Sequence, residues 1–209
     1  MTDDRIGQVI DWARKVHALA ANGLAFSADP FDRERYRELQ DLARALLAGE
    51  LDIPTERAGA LWAGETGYVT PKVDVRGAIF EDNRVLLVRE RADGRWSLPG
   101  GWADVNDAPS TAVVREIREE AGCAARAVKL AALIDRRRHP HPPSVHHIYK
   151  LMFICVRTGG MPTAGAETDA VDFFPVHALP ELSTGRILAS QIERLHAHHL
   201  HPELPSDFD

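Results

Sequence analysis

The run PSTAVVREIREEAG, residues 109–122, limits the fold more than any other stretch of the chain. Proline opens it and glycine closes it, as suits the first turn and the end of a helix. Asp107 is expected to cap its N-terminus. At about 100° per residue, Glu116 and Glu120 fall on nearly one line of this helix, with Glu119 beside them. Three carboxylates on one side repel one another. Arg115 and Arg118 relieve part of that repulsion, and a hard divalent cation, which takes oxygen ligands, relieves more. Just upstream, Gly100-Gly101 permits a tight bend that brings a carbonyl toward the same spot. A solvated, salt-bridged helix face has the same composition, so the surrounding pattern has to decide.

That pattern is one of strands. VDVRGAIF (73–80), a turn at 81–83 and RVLLVRER (84–91) read as a hairpin. Residues 123–135, 145–158 and 169–176 are further strand candidates, and a final helix is expected over 186–199. Strands and helices mix without regular alternation, which predicts an α+β fold, a mixed sheet sandwiched by helices.

The N-terminal part is different. Ile6, Val9, Ile10, Ala13, Val16 and Ala20 recur at helical spacing up to a stop at Asn22-Gly23. A second helix starts near Asp29-Pro30 or Asp32 and carries Tyr36, Leu39, Ala43, Leu46 and Leu47 on one face. Residues 49–67 read as a linker. The expected division is a helical N-terminal domain and linker over 1–66 and a second domain over 67–209. Two such helices cannot enclose a core alone, so their apolar faces need another part of the chain or a second subunit.

Composition narrows the partners. The net charge is −6, and residues 1–65 hold twelve acids against eight basic residues, a poor surface for a nucleic-acid backbone. No run approaches the roughly 18 apolar residues of a membrane span, and nothing resembles an export signal, so a cytoplasmic location is expected. Cys123 and Cys155 sit in apolar runs and read as buried, reduced thiols.

Gly101, Asp107, Arg115-Glu116-Ile117, Glu119-Glu120 and Gly122 together resemble the signature of the Nudix hydrolases. Asp107 replaces that signature's loop glutamate and Cys123 its final aliphatic residue; the metal-carrying glutamates are intact. NGLAFSADPFDRERYRELQDLA (22–43), TPKVDVRGAIF (70–80), WSLPGGWADV (96–105), HPHPPSVHHIYKLMFIC (139–155) and FFPVHALPELSTGR (173–186) extend the resemblance to the branch in which a helical domain precedes the hydrolase domain. The resemblance implies a Nudix-type α/β/α sandwich with a mixed sheet, and Mg²⁺-dependent cleavage of a nucleoside diphosphate linked to a group X, with Mn²⁺ as a substitute. CDP-choline is the first expectation for the substrate and ADP-ribose the second. It further implies that Glu116, Glu120 and Glu119 hold the metal, that Arg115 fixes the carboxylates, and that the Gly100 carbonyl completes the coordination. Glu167, in the late loop GAETDAV, is the expected activator of water, with Asp169 next and Glu119 or Glu120 as alternative bases.

Arg76, Arg89 and Arg91 are candidates for phosphate, since a guanidinium fork suits that anion. His139 and His141, with His146 and His147, are spaced poorly for tetrahedral zinc and suggest a substrate-lining loop. Trp96, Trp102 and Phe173-Phe174 are more readily core than base-stacking platforms. A small-molecule nucleotide and a second copy of the chain are the expected partners. A nucleotide sensor without catalysis, or an enzyme acting on RNA 5′ ends or nucleoside triphosphates, are the competing readings.

Overall fold

Residues 2–209 are described by a computed structural model, the side chains from residue 5 onward. The chain divides into two units, Met1–Pro71 with Pro142–His147, and Lys72–His141 with Ile148–Asp209.

The first unit is helical: α1 (Thr2–Phe26), α2 (Pro30–Leu51) and the short α3 (Thr55–Ala60). Asp29 caps α2, its carboxylate accepting from the amides of Phe31 (2.9 Å) and Asp32 (3.0 Å), with Pro30 in the first turn. α1 runs through Asn22-Gly23, where the sequence suggests a stop. Gly23 serves packing instead: a Cβ there would overlap the Tyr36 ring. The Asn22 side chain accepts from the Val69 amide (2.8 Å). Ile10, Ala13, Ala43, Leu47, Ala58 and Trp62 form the core of this unit.

Trp62 corrects the linker reading of 49–67. It is 2% exposed, stacks on His17 with ring centroids 4.6 Å apart, and donates its indole N–H to the Val145 carbonyl (3.1 Å). The faces of the two long helices are only partly consumed. Trp12, Leu19 and Phe26 on α1, spaced seven apart, and Leu39, Leu42 and Leu46 on α2 remain exposed.

The second unit is built on β1 (Lys72–Glu81). It pairs in parallel with β5 (Ile148–Gly159), from Lys72 opposite Ile148 to Ile79 opposite Cys155. β5 continues to β4 (Ala124–Asp135) and the short β7 (Asp207–Phe208). At its far end β1 turns through positive-φ Asp82 and Asn83 into β2 (Arg84–Glu90), which pairs with β3 (Trp96–Ser97) and β6 (Thr168–Pro175). The helix α4 (Pro109–Ala121) packs on one face through Val113 and Ile117 against Val75, Ile79 and Phe153. α5 (Ala189–Leu200) packs on the other through Ile192 and Leu195 against Ala78, Phe80 and Met152. The period of two along β1 sends Val75 and Ile79 to one helix and Ala78 and Phe80 to the other. This is the expected mixed sheet between helices.

Several boundaries differ from the sequence reading. Residues 145–147 belong to the first unit, so β5 begins at Ile148. α5 begins at Ala189 because Ile187 and Leu188 are buried ahead of it in extended or turn backbone. Position Ala108, not Asp107, caps α4, without a side-chain bond. The Asp107 carboxylate is engaged by Arg115 (3.3 Å) instead. Gly122 does end α4 in the left-handed region, φ +67°. Both cysteines are buried and free, and burial pushes the Cys155 thiol up to about 12. Among the described residues no helix is long and apolar enough to cross a membrane.

Candidate active site

The backbone from Leu98 to Trp102 runs along β1 as a further pairing partner. The Gly77 amide donates to the Pro99 carbonyl (2.9 Å), the Val75 amide to the Gly101 carbonyl (2.8 Å), and the Ala103 amide to the Val73 carbonyl (2.9 Å). Gly100, between them, has φ +148° and sits where a Cβ would overlap the Val75 carbonyl, so only glycine fits. Its amide donates to Glu120 Oε2 (2.8 Å), which couples the turn to α4. At Gly101 a Cβ would come within 3.0 Å of the Glu116 carboxylate.

Glu116 and Glu120 are thereby brought to one cavity of about 530 Å³. Glu90 at the end of β2 and Glu167 on the loop before β6 line it too, with Asp74, Arg76 and Gly100. Burial lifts Glu120 to about 7, against the opposing pull of the Gly100 amide and Arg76; Glu90 and Glu116 add to the rise. Burial likewise raises Glu116, with Arg115 opposing, and Glu90, with Arg186 and Arg76 opposing.

Arg115 is the fastener on the solvent side. Its guanidinium reaches Glu116 (2.8 Å), Glu119 (3.0 Å), Asp104 (3.0 Å) and Asp107 (3.3 Å). Glu119 is half exposed and faces Arg115; it does not line the cavity. Glu167 is placed by its neighbours. The Thr168 hydroxyl donates to the Glu120 carbonyl (2.7 Å) and accepts from the Gly165 amide (2.8 Å), and a Cβ on Gly165 would overlap the Glu119 carbonyl. The Glu167 carbonyl accepts from the Arg91 amide (3.0 Å).

The basic candidates separate. Arg76 lines the cavity, is 5% exposed and is fully engaged. It is held by Asp74 (2.9 Å to Nη2, 3.0 Å to Nε), by the Leu98 carbonyl (3.1 Å) and by the Ser97 hydroxyl (3.4 Å). Asp74 also accepts from the buried Lys150 ammonium. Burial opposes the charge on Asp74, but Arg76 and Lys150 outweigh it and keep the carboxyl below its usual range. Burial brings Lys150 down to about 8.

Arg89 pairs with Asp169 (2.6 Å) and Arg91 donates to the Ala166 carbonyl (3.1 Å), both on exposed sites outside the cavity lining. His139 pairs with Asp209 (3.2 Å). His141 contacts the Thr184 carbonyl (2.7 Å) and the Gln191 amide (3.0 Å), and burial lowers it to about 4. Neither histidine lines the cavity. His146 stands 3.4 Å from Glu65 within the first unit. The cavity cations that the sequence reading missed are Arg136, Lys150 and Arg186. Only ELSTGR, as part of the broader resemblance, hinted at the last of them.

Among the described residues no three acidic, histidine or cysteine side chains form a ready-made cation cage. The donor chemistry nevertheless fits a hard divalent ion, since six acidic residues, Asp74, Glu90, Asp104, Glu116, Glu120 and Glu167, line the cavity and Glu90 Oε1 is buried without a hydrogen-bond partner.

Residues 70–195 match the NUDIX domain, and residues 7–62 match the UDP-X-like N-terminal oligomerisation domain. The chain is 43% identical over 200 residues to the Bacillus subtilis (strain 168) protein YjhB, provisionally named an ADP-ribose pyrophosphatase, with 96% of each chain covered. A crystal structure of a UDP-X diphosphatase superposes with a TM-score of 0.63 at 31% identity, covering 98% of this chain and 99% of that one. The crystal structure of a Streptococcus suis 89-1591 ADP-ribose pyrophosphatase gives 0.62 at 36% identity over 67% of this chain and all of the other.

Proposed function

The chain belongs to the Nudix family of hydrolases, and from that premise we propose that it cleaves the diphosphate of a nucleoside diphosphate joined to a group X, releasing a nucleoside monophosphate and phospho-X. The observation that carries this reading is the meeting of Glu116 and Glu120 with Gly100 in one cavity that the buried cations Arg76, Arg136 and Lys150 also line. A diphosphate is doubly anionic and repels an attacking oxygen, so a site for it needs both a cation-binding wall and fixed positive charge.

Glu116 and Glu120 would hold Mg²⁺ together with the Gly100 carbonyl, and Glu119, paired with Arg115 outside the cavity lining, would reach the ion only by leaving that pair. When bound, the ion neutralises phosphate oxygens and acidifies water. Arg115 keeps Glu116 and Glu119 in place. Glu167, braced against the end of α4, orients the attacking water. Arg76, held by Asp74, Leu98 and Ser97, supplies a fixed charge to the cavity lining. Arg89, Arg91, His139 and His141 stay candidates for the rim, where a bulky X extends beyond the cavity.

The names of the relatives support ADP-ribose as the first compound to try, ahead of CDP-choline. Turnover of ADP-ribose, CDP-choline, UDP-sugars, nucleoside triphosphates and 5′-triphosphorylated RNA is measured as release of nucleoside monophosphate or pyrophosphate, with Mg²⁺ and with chelator. The expected result is metal-dependent turnover of one diphosphate. Cleavage of triphosphates or RNA alone would replace the substrate class, and tight nucleotide binding without turnover would favour the sensor.

The oligomer is proposed to be a homodimer formed by the exposed stripes Trp12-Leu19-Phe26 and Leu39-Leu42-Leu46. Sedimentation is expected to give twice the mass of the 23.1 kDa chain, and Leu19→Glu with Leu42→Glu to shift it to the monomer. A wild-type monomer at micromolar concentration would end the dimer.

A further inference from the structure

Arg186 stands at the end of a segment fastened to β3. The Trp96 amide donates to the Glu181 carbonyl (3.0 Å), and the Ser183 amide to the Trp96 carbonyl (2.8 Å). The amides of Arg186 (2.7 Å) and Ile187 (2.9 Å) then close a turn on the Ser183 carbonyl, and Ile187 is fully buried. The backbone at Arg186 is therefore fixed from both sides.

The side chain is fixed as well. Nη1 donates to the Ser183 hydroxyl (2.9 Å) and Asp93 (3.3 Å), and Nε lies 3.2 Å from Glu90 Oε1 in an ion pair without hydrogen-bond alignment. Asp93 is itself steadied by the Ser183 hydroxyl (2.7 Å) and the Arg95 amide (3.1 Å). Among the described residues Nη2 makes no hydrogen bond, so two N–H donors are unspent on an arginine that lines the cavity.

The contrast with Arg76, Arg89 and Arg91 is one of donors. Arg76 spends Nε, Nη1 and Nη2 on Asp74, Ser97 and Leu98. Arg89 and Arg91 are bound to Asp169 and Ala166 away from the cavity. A guanidinium already immobilised by three neighbours loses little further freedom when its remaining edge meets an oxyanion, which is the condition for a strong, directional contact.

We infer that Arg186 is the residue that grips a phosphate oxygen of the substrate's diphosphate, with Glu90, Asp93 and Ser183 as the positioning residues that aim it. This rests on the diphosphate-hydrolase reading. It assigns substrate recognition to the chain segment after β6, as well as to α4 and the glycine turn. Glu90 then links the two halves of the site, for it lies beside Arg186 and close enough to Glu120 to raise that carboxyl.

The test is calorimetric binding of α,β-methylene-ADP and of AMP to the full chain in Mg²⁺, with melting temperature as the check on folding. Charge-assisted hydrogen bonds of this kind predict that Arg186→Ala weakens the diphosphate analogue by about 10- to 100-fold. AMP binding should change far less, so the preference for two phosphates is lost. Arg186→Lys should recover only part of the affinity, because an ammonium lacks the planar fork. Asp93→Asn, outside the cavity lining, should raise KM while leaving kcat nearly unchanged. If wild type binds the analogue and a folded Arg186→Ala binds it equally well, the assignment of Arg186 is overturned. Should wild type itself not bind it, the diphosphate reading falls, and the assignment with it.

Discussion

Glu120→Gln is expected to lower kcat on the diphosphate substrate by on the order of 10³-fold while raising the thermal stability of the protein in chelator above pH 7. The two effects have one cause. Glu120 is 6% exposed, and burial lifts its carboxyl from an ordinary 4.5 to about 7. The fold therefore binds that proton more tightly than the unfolded chain does. The stabilisation is complete below pH 4.5 and fades as pH rises through 7, leaving a buried carboxylate that the Gly100 amide and Arg76 only partly satisfy. Glutamine keeps the shape without the charge, and the gain at pH 8 is at most about 3 kcal/mol. The same shift implies that protons compete with the cation below pH 7, so activity should fall with acid over that range. Melting curves in chelator at pH 5 and pH 8 check the first claim; a variant destabilised equally at both would refute it. Steady-state rates check the second.

Asp74→Ala is expected to destabilise the protein by about 3–5 kcal/mol, the usual cost of stripping one partner from a buried charge group. Asp74 answers two cations at once, Arg76 and Lys150, all three nearly inaccessible to solvent. Without the carboxylate, the lysine is expected to give up its proton, since burial already brings it to about 8 with Asp74 present. Arg76 has no such escape. Lys150→Met should be far milder than Asp74→Ala, because it removes a buried charge and leaves the Asp74–Arg76 pair whole. Chemical denaturation of both variants and of the double variant decides this. Equal losses for the two single variants would show that the cluster does not act through its charge.

The glutamate helix was legible because its signals are local: Pro109, Gly122 and the four-residue step from Glu116 to Glu120 need no knowledge of the rest of the fold. Its cap was misread at Asp107, since a tertiary partner, Arg115, competes for that carboxylate. Trp62 escaped notice in a stretch of glycines and small residues, because burial of a lone aromatic depends on what covers it. The cationic side of the cavity was the least legible part. Arg136, Lys150 and Arg186 come from a turn, a central strand and a late loop, and no spacing connects them. Arg89 and Arg91 looked as suitable as Arg76 on a strand. The structure separates them by donor use and exposure, which sequence does not carry.

The glycine turn has a consequence for how chains of this kind can change length. Because residues 99–103 are laddered onto β1, they behave as a strand without a strand's regularity, and one inserted residue would shift Gly100 off Glu120 and send every following contact to the wrong face. Diversification by insertion is therefore closed there. It is open in the mostly exposed stretches 137–140 and 177–180, which join the elements without being threaded into that ladder. A lineage built on this scaffold can exchange what it recognises by editing those connections, while the turn that meets the glutamates keeps a fixed number of residues.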